Sequence, residues 1–288
     1  MTTKIDWKRT EAYELNQVEG IPSGPKCKLS LVLSVRIGKA AEDEPVIVWA
    51  SLEGSKIGSG KLYYNSDVEK GYFQDSVSVK MFIHDSRDRV YKDLMRIDDS
   101  PDTDNMGGSV TSSVTISFND GGNVGFFGGM ATGGASGSFG VSSTNSFTES
   151  LKDFEVRNDS DSFVVNHQYY MAKSSGGIYR KAADLVPDPN HMEFFDHFKE
   201  VTLYDPPPLA TSNLPLMSQA YWQATHTRPI KDHLKIKVLV VQNLSYAWGH
   251  RDFAVIKNKT KGETNSYWYD EPLGLHRLVD SDHGAPLT

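Results

Sequence analysis

The sequence is poor in cysteine and in positive charge. Cys27 is the only cysteine among 288 residues, which excludes an internal disulfide framework and a cysteine-rich zinc site. A protein with one thiol can still be secreted, provided that it folds without disulfide bridges. The net charge is −7 and no cluster of Lys and Arg is present, so the sequence argues against a nucleic-acid partner.

Long apolar runs are also absent. No stretch of roughly eighteen apolar residues exists, so the sequence predicts no transmembrane helix. Residues 1–14 are polar and charged, with no apolar core for a signal peptide. We therefore expect either that a leader was removed and replaced by Met1, or that export is unusual. Membrane contact, if it occurs, is expected from strands or from surface aromatic residues.

Helical periodicity is scarce, and residues 192–198 offer two turns at most. Alternation with a period of two dominates instead, with the strongest examples at residues 29–36, 76–83 and 234–240. Shorter candidate strands lie at residues 46–52, 61–64, 163–171 and 252–256, and turn residues separate them at Glu53-Gly54, Glu69-Lys70-Gly71 and Asp205-Pro206-Pro207-Pro208. The pattern predicts an all-β protein built as a β-sandwich.

One segment stands apart, because Asp120 is its only charged residue between positions 106 and 148. Up to Phe126 the even positions are mostly apolar and the odd positions are small and polar. After Met130 the apolar residues occupy odd positions. Such a switch of parity is what a hairpin turn produces, because directly opposed residues share a face.

A turn at Gly128-Gly129 predicts the pairing of this hairpin. Its tip would be Phe127, Gly128, Gly129 and Met130, with Phe118 opposite Phe139, Ile116 opposite Val141, Val110 opposite Phe147, Asn119 opposite Ser138 and Thr115 opposite Ser142. Gly-Gly supplies the positive φ angles that tight hairpin turns need.

A lone hairpin with many glycines is marginal in water, whereas copies of it can close into a barrel in a bilayer. Apolar positions would then face lipid and polar positions would line a wet lumen. The predicted lipid face is Val114, Ile116, Phe118, Val124, Phe126, Ala131, Ala135, Phe139 and Val141. The predicted lumen face is Thr115, Ser117, Asn119, Asn123, Ser136, Ser138 and Ser142. Asp120 has the parity of the lipid face, so either it lies at the interface or a local bulge turns it inward. The alternative is a Gly/Ser-rich linker, but a linker has no reason to keep this register.

Several motifs resemble the staphylococcal α-haemolysin and leukocidin family of β-barrel pore-forming toxins. They are Arg96-Ile97-Asp98-Asp99-Ser100-Pro101, Val114-Thr115-Ile116-Ser117-Phe118-Asn119, Asn123-Val124-Gly125 and Lys152-Asp153-Phe154-Glu155-Val156. The resemblance implies a β-sandwich cap, a rim region and a folded pre-stem hairpin that becomes a transmembrane β-barrel on oligomerisation. It divides the chain into residues 1–108 (first part of the cap), 109–148 (stem), 149–216 (region containing the rim) and 217–288 (second part of the cap).

The resemblance also implies a function. We expect a secreted cytolysin or haemolysin without enzymatic activity or cofactor, acting on a target-cell bilayer as a homo-oligomer, a heptamer or an octamer, with a second component as an option. The rim is expected in the aromatic segment of residues 167–208, where Tyr179 and Arg180 would meet a choline headgroup; a surface receptor is an alternative partner. Residues expected to touch lipid headgroups are Tyr179, Arg180, Phe194, Phe195, Phe198, Tyr204, Tyr246 and Trp248.

Other sites are weaker. His191 and His197, with Glu193 and Asp196 between them, match no zinc spacing, so no metal site is expected. Asp98, Asp99, Asp102 and Asp104 lack the glycine and the closing Glu of a calcium loop, which favours a solvated connection. No Ser-His-Asp or paired-carboxylate arrangement is apparent. Two alternative functions stay open: an aerolysin-type pore former in an elongated molecule, and a β-sandwich carbohydrate-binding module with a decorative loop.

Overall fold

The computed structural model describes residues 6–15, 19–22, 27–39, 44–58, 62–65, 68–101, 105–106, 109–119, 140–150, 154–171, 213–252 and 255–275. These residues form strands and turns, and no helix occurs among them. Accordingly, no helix in these ranges has the length and hydropathy of a membrane span. The all-β prediction is confirmed.

The strands form two large antiparallel sheets and one small one. The seven-stranded sheet has the order β14-β5-β3-β4-β15-β8, with β1 also paired to β3. Its strands are β1 (Asp6–Leu15), β3 (Leu29–Lys39), β4 (Ile47–Ser51), β5 (Lys56–Ile57), β8 (Leu94–Ser100), β14 (Leu214–Pro215) and β15 (Gln219–Ala224).

The eight-stranded sheet has the order β2-β17-β16-β7-β13-β12-β9, with β6 also paired to β7. Its strands are β2 (Glu19–Pro22), β6 (Leu62–Asn65), β7 (Val68–His84), β9 (Asn105–Met106), β12 (Phe154–Asn158), β13 (Val164–Met171), β16 (Lys235–Asp252) and β17 (Val255–Pro272). The small sheet pairs β10 (Ser109–Asn119) with β11 (Gly140–Ser150).

The two large sheets pack as a β-sandwich around one hydrophobic core. Period-two alternation builds it: along β3 each second residue from Leu29 to Ile37 is buried, and the residues between are half-buried. The eight-stranded sheet contributes side chains of the same kind to the same core, among them Val79, Met81, Val165, Ile236 and Val238.

Two local predictions are wrong. Glu69-Lys70-Gly71 is not a turn, because these residues continue β7, where they pair with β16 on one side and β6 on the other. Residues 252–256 are not a strand of their own. Asp252 ends β16 and Val255 begins β17, and the two pair with each other at the end of a hairpin. By contrast, Glu53-Gly54 is the expected turn, with Gly54 at a φ of 87°.

The strands β7, β16 and β17 are much longer than the sandwich requires, at 17, 18 and 18 residues. Beyond Leu244 they continue as a ribbon that β6 joins. A register shift between Asn243 and Leu244 marks where this ribbon begins, as bulges often do where a strand changes direction. We call residues 62–65, 68–72, 245–252 and 255–262 the distal ribbon.

Candidate functional site

The hairpin of β10 and β11 has the predicted parity but a different register. Phe118 pairs with Val141 and Ile116 with Ser143, whereas the predicted partners were Phe139 and Val141. The predicted pairings are therefore wrong by two residues, including those of Val110, Thr115 and Asn119. A shift of two keeps every residue on its face, because the side-chain period of a strand is two.

The hairpin is a sheet of its own in the described part of the chain. No ladder joins β10 or β11 to the seven-stranded or the eight-stranded sheet. Nevertheless β10 lies against β8 and β15, at one edge of the seven-stranded sheet. Within the described residues, the hairpin therefore shares no strand ladder with either large sheet.

Two strands of the seven-stranded sheet are buried on both faces. A strand of a sandwich normally buries alternate residues, yet all of β4 and all of β15 are buried. Val48, Ala50, Ala220 and Trp222 belong to the core between the sheets, and the residues between them face the other way.

This second set forms an outer face that has to be covered by something else. It includes Ile47, Trp49 and Tyr221, which are at most 4% exposed. The rings of Trp49 and Tyr221 lie 6.5 Å apart, and the guanidinium of Arg36 stands 4.6 Å over the Trp49 ring. Because the eight-stranded sheet fills the inner side, we infer that the hairpin beside β15 covers this outer face.

Asp99 links the strand that precedes the hairpin to the strand that follows it. This residue lies on β8, shortly before β10, and Asn158 lies on β12, shortly after β11. The side-chain amide of Asn158 donates to Asp99 Oδ2 at 3.2 Å and to the carbonyl of Pro101 at 3.1 Å. Nearby, β9 pairs with β12 through Met106 and Glu155. The segments entering and leaving the hairpin are thus tied together at the sandwich.

Asp99 has a full set of partners. Arg96 donates to Oδ1, and Ser160, Asn158 and His167 donate to Oδ2. Burial opposes ionisation, but the hydrogen bonds from His167 and Ser160 and the charges of His167 and Arg96 outweigh it and lower the pKa of Asp99. The expectation of a solvated acidic connection is therefore wrong for Asp99, which is buried in β8; Asp102 and Asp104 lie outside the described residues.

His167 extends this cluster across the sandwich. Its Nε2 is 3.1 Å from Asp99 Oδ2, and its Nδ1 is 2.9 Å from Ser218 Oγ. The ring therefore donates through Nε2 to the carboxylate of Asp99 and shares a hydrogen bond with the hydroxyl of Ser218 through Nδ1. The hydroxyl oxygen of Tyr169 lies 3.4 Å from Ser218 Oγ, and burial raises the pKa of this hydroxyl to about 12.

Asp99, His167 and Ser218 thus have the connectivity of a Ser-His-Asp triad, which sequence reasoning did not identify because its members are far apart in the chain. A nucleophile must reach its substrate, however, and Ser218 and His167 have no exposed surface. The cluster joins the two large sheets, because Asp99 lies on β8 and His167 on β13. His167, Tyr169 and Met171 belong to β13 and are buried, so the aromatic segment predicted at 167–208 does not begin at His167.

A second polar cluster surrounds His84. Its ring nitrogens lie 3.3 Å from Asp88 and 3.2 Å from Asp270, a grouping that could hold a metal ion. The ammonium of Lys237 lies 3.5 and 3.7 Å from the same two carboxylates. A positive charge is therefore already supplied at this position by the protein itself.

Of the residues predicted to touch lipid headgroups, two lie in the described part of the chain. Tyr246 and Trp248 lie half-buried in the distal ribbon, and the ring of Tyr246 is 4.9 Å from that of Tyr72. Outside the described residues lie Tyr179, Arg180, Phe194, Phe195, Phe198 and Tyr204, the hairpin positions Asn123, Val124, Phe126, Ala131, Ala135, Ser136, Ser138 and Phe139, the tip residues 127–130, Asp120, and the histidines His191 and His197.

Solved structures share the fold of this chain. No protein-family model matches it, and no curated protein matches it. A solved structure of a pore forming protein superposes with a TM-score of 0.57 at 11% identity, over 93% of this chain and 97% of the other. The delta-toxin of Clostridium perfringens superposes with a TM-score of 0.53 at 11% identity, over 94% and 96%. The fold is therefore shared along nearly the whole length.

Proposed function

We propose that the protein is a secreted pore-forming cytolysin. Its monomer binds a target membrane, assembles with further copies and inserts the β10–β11 hairpin into a shared β-barrel. The observation that carries this proposal is the hairpin itself. It is nearly free of charge, it alternates apolar and polar residues, and it lies against the sandwich as a separate sheet. The two pore-forming or toxin structures that share the fold support the same reading.

The chemistry of the hairpin explains why a barrel is its stable form in lipid. A bilayer core offers no water to backbone groups, so strands can cross it only when every edge is paired. Hairpins from several copies close such a ring. Val114, Ile116, Phe118 and Val141 would then face lipid, and the lumen would be lined by Thr115, Ser117, Asn119 and Ser142.

Attachment and assembly precede insertion. The aromatic segment after β13 and the ends of the distal ribbon would contact headgroups, with Tyr179 and Arg180 as candidates for a choline site and Phe194, Phe195, Phe198, Tyr204, Tyr246 and Trp248 at the interface. The ring would hold seven or eight copies, alone or with a second component. The buried Asp99-His167-Ser218 cluster would hold the base of the hairpin and perform no catalysis.

Locking the hairpin tests this proposal. In a Cys27→Ser background, one cysteine in β10 and one in β8, at positions with Cα atoms about 6 Å apart, would form a disulfide between hairpin and sandwich. The oxidised protein should bind liposomes and assemble but release no dye, and a reducing agent should restore release.

A second disulfide is the matched control. Ser109 and Ser150 are directly opposed at the base of the hairpin, so Ser109→Cys with Ser150→Cys joins the two arms to each other. Since both arms would insert together, this protein should release dye in either redox state. Equal dye release by the oxidised and reduced forms of the β8–β10 lock would show that the hairpin does not need to move.

A further inference from the structure

The distal ribbon brings together residues that are far apart in sequence. Its strand register places directly opposed residues in three rows, and opposed residues share a face of the sheet. The rows are Tyr72, Tyr246 and Lys261; Lys70, Trp248 and Lys259; and Val68, His250 and Lys257. Tyr63 of β6 stands opposite Lys70 and extends the second row. We call this set the basic face.

The composition of the basic face is unlike that of the chain. It has four lysine positions, one histidine position and four aromatic positions, and no acidic residue lies within its three rows. The whole chain is acidic, with a net charge of −7. Glu263 and Asp252 occupy the next positions at either end, so they bound the face on β17 and β16.

The opposite face of the same ribbon differs in every row. Its positions are Leu62, Gly71, Ala247 and Thr260; Tyr64, Glu69, Gly249 and Asn258; and Arg251 with Ile256. Along β17, every second residue from 257 to 261 is a lysine. Alternate residues of a strand share a face, so these three lysines occupy the same side of the ribbon.

From this arrangement we propose that the basic face binds the headgroups of anionic phospholipids. The inference rests on the proposed function and names the class of lipid that the protein would contact first. Aromatic rings favour the headgroup region of a membrane, and lysines near an anionic surface are attracted to it. Charge complementarity selects a membrane with negative headgroups over one that presents phosphatidylcholine alone.

The test compares two vesicle compositions, phosphatidylcholine alone and phosphatidylcholine with about one third phosphatidylglycerol. The full chain should bind the anionic vesicles more tightly, and added salt should weaken that binding because exposed charges are screened. Each lysine near the surface should contribute about 5-fold in affinity, so Lys257→Gln, Lys259→Gln and Lys261→Gln together should weaken binding to anionic vesicles about 100-fold. Binding to neutral vesicles should not change.

Two triple variants serve as controls. Replacing Lys257, Lys259 and Lys261 by Arg keeps the charge and should keep the binding, which separates charge from folding. Replacing the exposed Lys92, Lys231 and Lys235 of the sandwich by Gln removes the same charge elsewhere and should have little effect. Near-UV circular dichroism checks that each variant is folded.

Three results would overturn the inference: equal binding of the wild type to both vesicles, unchanged binding of the Gln triple variant of β17, or binding only when a sialylated glycolipid replaces phosphatidylglycerol. Dye release in the same samples tests the proposed function separately. Lysine-dependent binding without dye release would leave the inference standing and refute the pore. Dye release from neutral vesicles that does not depend on the lysines would support the pore and refute the inference about anionic headgroups.

Discussion

At the scale of single residues, the most consequential side chain is the carboxylate of Asp99. It lies where the chain leaves the sandwich for the hairpin, and it links β8 to β12 and β13 through Asn158 and His167. A buried charge is stable only when its hydrogen bonds are satisfied. Asp99 has that set of donors, so it can link the strand before the hairpin to the strands after it.

Replacing this charge should therefore weaken the monomer. Asp99→Asn keeps the shape of the side chain but loses the charge and leaves Arg96 and His167 poorly paired. We expect a loss of about 3 kcal/mol in the free energy of unfolding at pH 7, measured by urea denaturation. Asp159→Asn, an exposed neighbour, should change it by less than about 0.5 kcal/mol.

The difference in unfolding free energy between wild type and Asp99→Asn should depend on pH. The pKa of Asp99 is lowered in the folded protein, so its ionisation stabilises the fold above the ordinary aspartate pKa, and this contribution is lost as the pH falls through the lowered value. The difference between wild type and Asp99→Asn should shrink as the pH falls below about 4, because the carboxyl group of Asp99 then becomes protonated. A difference that grows between about pH 4 and about pH 2 would contradict this role.

At the scale of elements, the sequence predicts the two arms of the hairpin but not their register. Parity, the near absence of charge and the small polar residues identify both arms. The register needed the turn, and Gly128-Gly129 was one of several glycine pairs near the tip, so the arms were displaced by two residues. The shift does not change which residues of the two arms share a face, because that depends on parity alone.

The inference that the hairpin covers the outer face of the seven-stranded sheet can be tested at Trp49. Trp49→Ala removes a large ring from the outer face of β4, at a cost of about 3 kcal/mol, and should loosen the hairpin more than the sandwich. Hydrogen–deuterium exchange of β10 and β11 should accelerate while β16 stays protected.

Val48→Ala is the matched control, because it lies next to Trp49 on the same strand but belongs to the core between the sheets. It should lower the stability of the sandwich as a whole and so raise exchange in β3, β4 and β16 together. Unchanged protection of β10 in Trp49→Ala would mean that the hairpin does not rest on this outer face.

At the scale of the whole molecule, alternation along 29–36, 76–83 and 234–240 was enough to predict a β-sandwich. Alternation does not predict which strands pair with each other. The continuation of β7 through Glu69-Lys70-Gly71 and the joining of Asp99, His167 and Ser218 both depend on long-range pairing. The basic face escaped notice for the same reason, since Lys70, Trp248 and Lys259 are adjacent only in the folded sheet.

The most direct test of the proposed function uses two consecutive residues of β11 that occupy opposite faces. Val141 pairs with Phe118 and Ser142 pairs with Ser117, so Val141→Arg places a charge on the lipid face and Ser142→Arg places it in the lumen. An arginine facing the middle of the bilayer costs about 2–4 kcal/mol in each copy of the ring. Single-channel recording on planar bilayers should therefore show no channels for Val141→Arg, although this variant still binds the membrane. Ser142→Arg should form channels whose ion selectivity is shifted toward anions. Identical behaviour of the two variants, or a wild type that forms no channels in any lipid mixture, would contradict the proposed pore.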